Sequence, residues 1–167
     1  GRLYWAVPEG LYSVIVVYSY LDEGLPLLNP ISRDAVACQI EGCYQPHYEH
    51  YSHLFGNVFA GFFSDEPQFA NGGWNSLPGK DIPLPWSSEL QAVLIEKTGM
   101  DYRRLLPALW LDGAPETHAI RYLYMDEVSR LYSECFCQTL ANWCHEHGVE
   151  YIGHQVEDNN SHSRLGS

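Results

Sequence analysis

The chain has 167 residues, with nine Lys and Arg against 21 Asp and Glu, a formal net charge of −12. A surface this acidic repels phosphate backbones and anionic lipid headgroups, so it argues against a nucleic-acid partner, whose binders cluster Lys and Arg. Hydrophobic residues at 46% against 18% charged exclude a largely disordered acidic tail and point to a single domain with a core of its own.

Leu11 to Tyr20 is rich in β-branched and aromatic residues and nearly continuous in apolar character, which predicts a first strand covered on both faces. Its apolar run, Val14 to Tyr20, is strand-sized, and no run approaches the roughly 20 apolar residues of a membrane span. Asn29-Pro30 then offers a cap and a first-turn proline. Val36, Ile40, Cys43, His47, Tyr51 and Leu54 recur every three or four residues, predicting a helix that ends near Gly56 and kinks at Pro46.

Asn57 to Pro67 is a short apolar run that turns abruptly to two acids and a proline, a strand followed by a loop. Residues 68–86 hold three Gly, three Pro and two Trp with little periodicity, which predicts a long irregular loop of the kind kept for function. A helix is predicted from Ser87 or Ser88 to Thr98, with Gly99 as its stop, then a short turn at Tyr102 to Leu106. The strongest helical pattern runs from Pro115 to His147, with Ile120, Tyr124, Val128, Leu131, Cys135 and Leu140 on one face and Gly148 at its end. Val149 to His154 reads as a further short strand.

This alternation is that of parallel βα units, so the fold class is α/β, either a doubly wound open sheet or part of a (β/α)8 barrel. A complete barrel takes about 250 residues, so about three βα units here make a partial TIM barrel whose other strands lie beyond the ends. The chain starts at Gly1 and stops in the polar stretch Asp158 to Ser167, and we expect one fragment, residues 1–167, of a longer multi-domain protein, with any targeting segment outside it.

Five cysteines, an odd number, exclude a complete disulfide framework, and buried thiols are expected. Cys135 and Cys137 lie two apart on a helix and point to different sides, which fits neither zinc nor a redox pair. Cys144, His145, Glu146 and His147 diverge around the helix axis and cannot share one ion. Neither metal nor cofactor is expected.

Parallel α/β folds place functional groups just after the carboxyl ends of their strands. Both acidic clusters stand there: Asp65 and Glu66 after Phe59 to Phe63, and Glu157 and Asp158 after Val149 to His154. Two carboxylates on one open face can divide the cleavage of a glycosidic bond, one protonating the leaving oxygen while the other attacks or activates water. The 14% of aromatic residues suits a pocket that stacks the flat apolar faces of sugars.

GNVFAGFFSDEPQF from Gly56 to Phe69, with WCHEHGVEYIGHQVED from Trp143 to Asp158, resembles the central catalytic region of large bacterial glycoside hydrolases related to the α-L-rhamnosidases of family 106. The resemblance runs from about Leu28 to Asp158 and combines several short motifs in order: Phe-Phe-Ser-Asp-Glu-Pro, a Trp-rich loop with Pro-Trp, a long helix ending in Trp-Cys-x-x-His-Gly, and a strand ending in Gly-His. It implies a (β/α)8 catalytic domain acting on a carbohydrate substrate, with Glu66 as general acid or acid/base and Asp65 orienting it or binding a hydroxyl. It further implies that His154 lines the sugar subsite, with Glu157 as second acid or substrate contact and Asp158 beside it. Trp74 and Trp86 are candidate stacking platforms, or seal the loop onto the barrel. Arg121 and Tyr124 read as structural.

The alternative from another class is a non-catalytic carbohydrate-binding or degenerate barrel domain. A third is a metal-dependent hydrolase using His154, Glu157 and Asp158, whose ligand types suit calcium better than zinc.

Overall fold

The computed structural model describes residues 2, 4–12, 14–20, 27–65, 67 and 84–154. Helix α1 (Arg33–Gln39) starts where the Ser32 hydroxyl accepts the Ala35 N–H at 3.4 Å. Asn29, the expected cap, is used otherwise: its side-chain oxygen accepts the Ile31 N–H, and its amide donates to the Trp86 carbonyl at 2.9 Å. It ties the entry of the first helix to the entry of a later one.

The helical path does not break at Pro46. A π-helical turn (Ile40–Tyr44) precedes α2 (Gln45–Tyr51), and the Gln45 N–H donates to the Ile40 carbonyl five residues back. Proline supplies no N–H to the usual carbonyl four residues earlier, and a shift of the ladder just before it carries the helix past that gap. A short 3-10 turn (Ser52–Leu54) closes the unit.

Strand β1 (Gly61–Ser64) follows. Helix α3 (Ser88–Thr98) begins on the Ser87 hydroxyl, which accepts the Leu90 N–H at 3.1 Å, and ends at Gly99, whose φ of 64° is left-handed and whose N–H reaches the Ile95 carbonyl. Both ends match the sequence reading. A 3-10 turn (Tyr102–Arg104) and the single-turn helix α4 (Pro107–Trp110) lead to α5 (Thr117–Leu131), a second π turn (Tyr132–Cys137) and α6 (Gln138–Glu146). The predicted long helix is therefore continuous but changes spacing midway. Gly148, with φ of 71°, turns the chain into β2 (Glu150–Gly153).

The fold is mixed α/β, mostly helical, with β1 and β2 as a parallel pair in which Gly61 faces Glu150, Phe62 faces Tyr151, Phe63 faces Ile152 and Ser64 faces Gly153. Alternation along a strand sends successive side chains to opposite faces. Phe62 and Tyr151 pack against the helices, on a cluster of Val36, Tyr44, Phe136, Leu140, Cys144 and Val149, and Phe62 stacks on Tyr44 at 4.0 Å. Phe63 and Ile152 point the other way and are 57% and 63% exposed. A second cluster around Leu90, Leu94, Leu105, Tyr124, Val128 and Leu131 joins α3 to α5.

Residues 11, 12 and 14–20, predicted as the first strand, belong to no strand, and Val16 and Tyr18 are 72% and 73% exposed. Strand propensity expresses how well branched and aromatic side chains fit a half-buried pleated surface, and these residues have no ladder partner among the described residues. Among the described residues the sheet thus has two strands instead of the expected three, a parallel pair that is not specific to a barrel. Among the described residues no helix is long and apolar enough to cross a membrane.

Glu127 of α5 is fully buried and accepts bonds from Lys97 of α3 and from Arg130, the latter at 2.8 Å. Arg130 also holds Glu134, which meets Arg33 of α1 at 3.4 Å. One ionic chain therefore crosses three helices. Burial alone raises the Glu127 carboxyl pKa, but the bonds from Lys97 and Arg130 outweigh it and hold the group below the usual carboxylate range.

Two stability predictions follow from these contacts. A Cβ on Gly61 would collide with the Glu150 carbonyl, whereas nothing lies within 4 Å of one on Gly42. Gly61→Ala should cost about 1–3 kcal/mol in urea unfolding, and Gly42→Ala should be neutral or stabilising. Glu127→Gln should cost about 2 kcal/mol at neutral pH. A lowered folded-state pKa contributes stability above the unfolded value, about 4.3, and loses it as pH falls through the folded value. The gap in melting temperature between Glu127→Gln and wild type should accordingly narrow on acidification, and a gap constant down to that range would exclude this role for the carboxylate.

Candidate active site at the carboxyl ends of the strands

The pairing of Ser64 with Gly153 brings the two carboxyl ends level, so the next residue of each strand meets its counterpart. The His154 N–H donates to the Ser64 carbonyl at 3.0 Å, extending the ladder by one bond. His154 Nδ1 then lies 3.2 Å from Asp65 Oδ1, and the His154 ring stands edge-on to Phe63 at 5.3 Å. The Asp65 carboxylate is 78% exposed and the imidazole 49% exposed, so the pair faces solvent at the rim.

Beneath it, the Ser64 hydroxyl and the Tyr151 hydroxyl share a hydrogen bond of 2.6 Å. Burial pushes the Tyr151 phenol above its ordinary value, with the Ser64 bond acting in the opposite direction. Tyr44 is raised further, chiefly by burial. Both phenols are therefore neutral hydrogen-bonding groups at physiological pH.

A cleft of about 310 Å³ opens beside these residues, lined by Ser64, Asp65, Phe63 and Pro67 from the strand end and by Gln39, Cys43 and Tyr44 from the first helical unit. Gln39 Oε1 is itself closed to solvent and has no hydrogen-bond partner among the described residues. The cleft therefore combines aromatic walls, an exposed carboxylate and hydroxyl groups, the mixture by which a small polar ligand with apolar faces is held.

Asp65 and His154 are thus brought together across the strand ends. Trp86 is not among the residues lining this cleft: it packs on the α3–α5 cluster, 5.4 Å from Tyr102, which is the loop-sealing role. Glu66, Glu157, Asp158 and Trp74 lie outside the described residues. Tyr124 is buried and donates to the Pro85 carbonyl at 2.5 Å, and Arg121 holds the carbonyls of Ala108 and Leu111, so both are structural.

Sequence reasoning missed Ser64, Tyr151, Gln39 and Cys43. Alternation along β2 puts Tyr151 on the helix-facing side, a signal available once the strand was placed. Nothing local marked Gln39 or Cys43, because their place in the cleft depends on how α1 lies against β1.

The Trp143 to Gly148 motif is a structural helix end. Trp143 stacks on His147 at 3.8 Å, and His147 Nδ1 lies 2.7 Å from the Trp143 carbonyl. The buried Cys144 thiol is pushed up to about 11, first by burial and then by Glu150. All five cysteines are free, Cys135 and Cys144 buried and Cys38 and Cys43 exposed. Among the described residues no three His, Cys, Asp or Glu side chains gather to hold a metal ion.

Comparison with protein-family models, with curated proteins and with solved structures finds no match to this chain.

The Ser64–Tyr151 bond can be measured directly. A double-mutant cycle with Ser64→Ala and Tyr151→Phe should show a coupling of about 1 kcal/mol in unfolding free energy, as for a typical net hydrogen bond. Additive effects would mean that the two hydroxyls do not bond in solution.

Proposed function

We propose that this chain is part of a (β/α)8 catalytic domain of a glycoside hydrolase resembling the α-L-rhamnosidases of family 106, and that residues 1–167 form one continuous piece of it. In this reading Glu66 protonates the leaving glycosidic oxygen, Glu157 is the second acid or a substrate contact, and Asp65, His154 and Asp158 hold sugar hydroxyls. A parallel pair with helices on one face and bare apolar side chains on the other is what a segment of a barrel wall looks like. The helices form the outer layer, and Phe63 and Ile152 belong to the inner one.

The observation that carries the reading is the Asp65–His154 contact at 3.2 Å. Glu66 is bonded to Asp65, and Glu157 is three residues from His154 in the chain. The chain thus leaves both strands toward its two acidic clusters from the same end of the sheet, and the reading takes a carboxylate from each to act on one bond.

The test is Glu66→Gln in the enzyme that carries this chain. Hydrolysis of unactivated glycosides should fall by about 10²–10⁴-fold, with much less loss on aryl glycosides whose leaving groups need no proton, and with the melting temperature unchanged. Undiminished turnover on unactivated substrates would remove Glu66 from the mechanism. Saturable sugar binding without product would favour the non-catalytic carbohydrate-binding domain, in which the same acids accept hydrogen bonds from sugar hydroxyls and the exposed Phe63 serves as a stacking face.

A further inference from the structure

Residues 14–20, Val-Ile-Val-Val-Tyr-Ser-Tyr, hold no charge, proline or glycine, the composition of a segment that pairs as a strand with another strand's edge. Among the described residues they belong to no strand and to neither core cluster. Val14, Ile15, Val16, Val17, Tyr18 and Tyr20 are all exposed, so neither set of alternating side chains is covered.

The sheet has a matching gap. The Glu150 and His154 N–H groups donate to the carbonyls of Ala60 and Ser64, so alternation turns the backbone groups of Gly61 and Phe63 to the other side of β1, where no strand lies among the described residues. Strand β1 is uncharged, as are residues 57–60 before it, whereas β2 opens with the exposed Glu150, a charge that blunts an edge. Two chains of net charge −12 repel each other, and contact is tolerated where neither surface carries charge.

The chain thus carries both halves of a strand pairing and leaves both unpaired among the described residues. We propose that two copies exchange these arms, each laying residues 14–20 along the outer edge of the other's β1. A reciprocal exchange closes under two-fold symmetry. It gives the Gly61 and Phe63 backbone groups partners, and branched side chains of the arm stand beside Phe63 on the open face of the sheet. The proposal does not rest on the glycosidase reading, and its test reads no hydrolysis.

The test is sedimentation of the 167-residue chain from about 1 to 100 µM, with amide shifts of the ¹⁵N-labelled chain followed over the same range. Monomer should give way to dimer, and the Gly61 and Phe63 amides should shift with it. Val16→Lys, at an exposed position, should weaken the dimer by about tenfold or more and leave the melting temperature of the dilute monomer unchanged. Val14→Lys should act alike. A lysine also lowers the repulsion between two acidic chains, so a weaker dimer reports the lost pairing surface. A monomer up to about 100 µM, assemblies that grow without limit, dimers whose Gly61 and Phe63 amides do not shift, or a Val16→Lys chain that dimerises as before would each overturn the proposal.

Discussion

The parallel register of β1 and β2 is the constraint on which the rest of the structure depends. Pairing Gly61 with Glu150 and Ser64 with Gly153 decides at once which side chains meet the helices and which residues meet at the carboxyl ends. A slip of either strand by one residue would turn that strand's helix-facing residue, Phe62 or Tyr151, outward and separate Asp65 from His154, because side chains alternate with a period of two. Glycines reinforce the register: a Cβ at Gly61 would strike the Glu150 carbonyl, and one at Gly153 the Ser64 carbonyl. The strand ends are thereby aligned before any ligand arrives.

The helical layer makes that register hold. Phe62 stacks on Tyr44 and meets Trp143 edge-on at 5.8 Å, so β1 is gripped by the first helical unit and by α6 together. Aromatic pairs of this kind add to the burial of their area. On the far side of the molecule the work is ionic, with Glu127 joining α3 to α5 and Arg130 passing the connection through Glu134 to Arg33. Each helical unit also contains one π turn, at Ile40–Tyr44 and Tyr132–Cys137. The first sets Tyr44 against Phe62 and brings Cys43 and Tyr44 to the strand-end cleft, so a local irregularity of the helix shapes the site.

The strand-end cleft takes its character from the same register. The Asp65 carboxylate there is exposed, and the Ser64, Tyr44 and nearby Tyr151 hydroxyls are neutral groups that both give and accept hydrogen bonds. A carboxylate beside neutral hydroxyls suits a hydroxyl-rich ligand, and the net charge of −12 disfavours an anionic one.

From the sequence alone, the ends of the elements were legible. Ser87 and Gly99 bound α3, Gly148 stops α6, and the two short strands lie where the apolar runs give way to polar residues, because caps, left-handed glycines and periodicity act over about four residues. The strand-end position of Asp65 and His154 was legible for the same reason. Tertiary structure alone decided which β-prone segments pair, leaving Val14 to Tyr20 outside the sheet although its composition is the most strand-like of all. It also decided that Ser64 meets Tyr151 from 87 residues away, and that Gln39 and Cys43 enter the cleft. Pairing and burial are properties of surfaces that meet across the fold, and a segment's own composition fixes its preference for such a surface without supplying one.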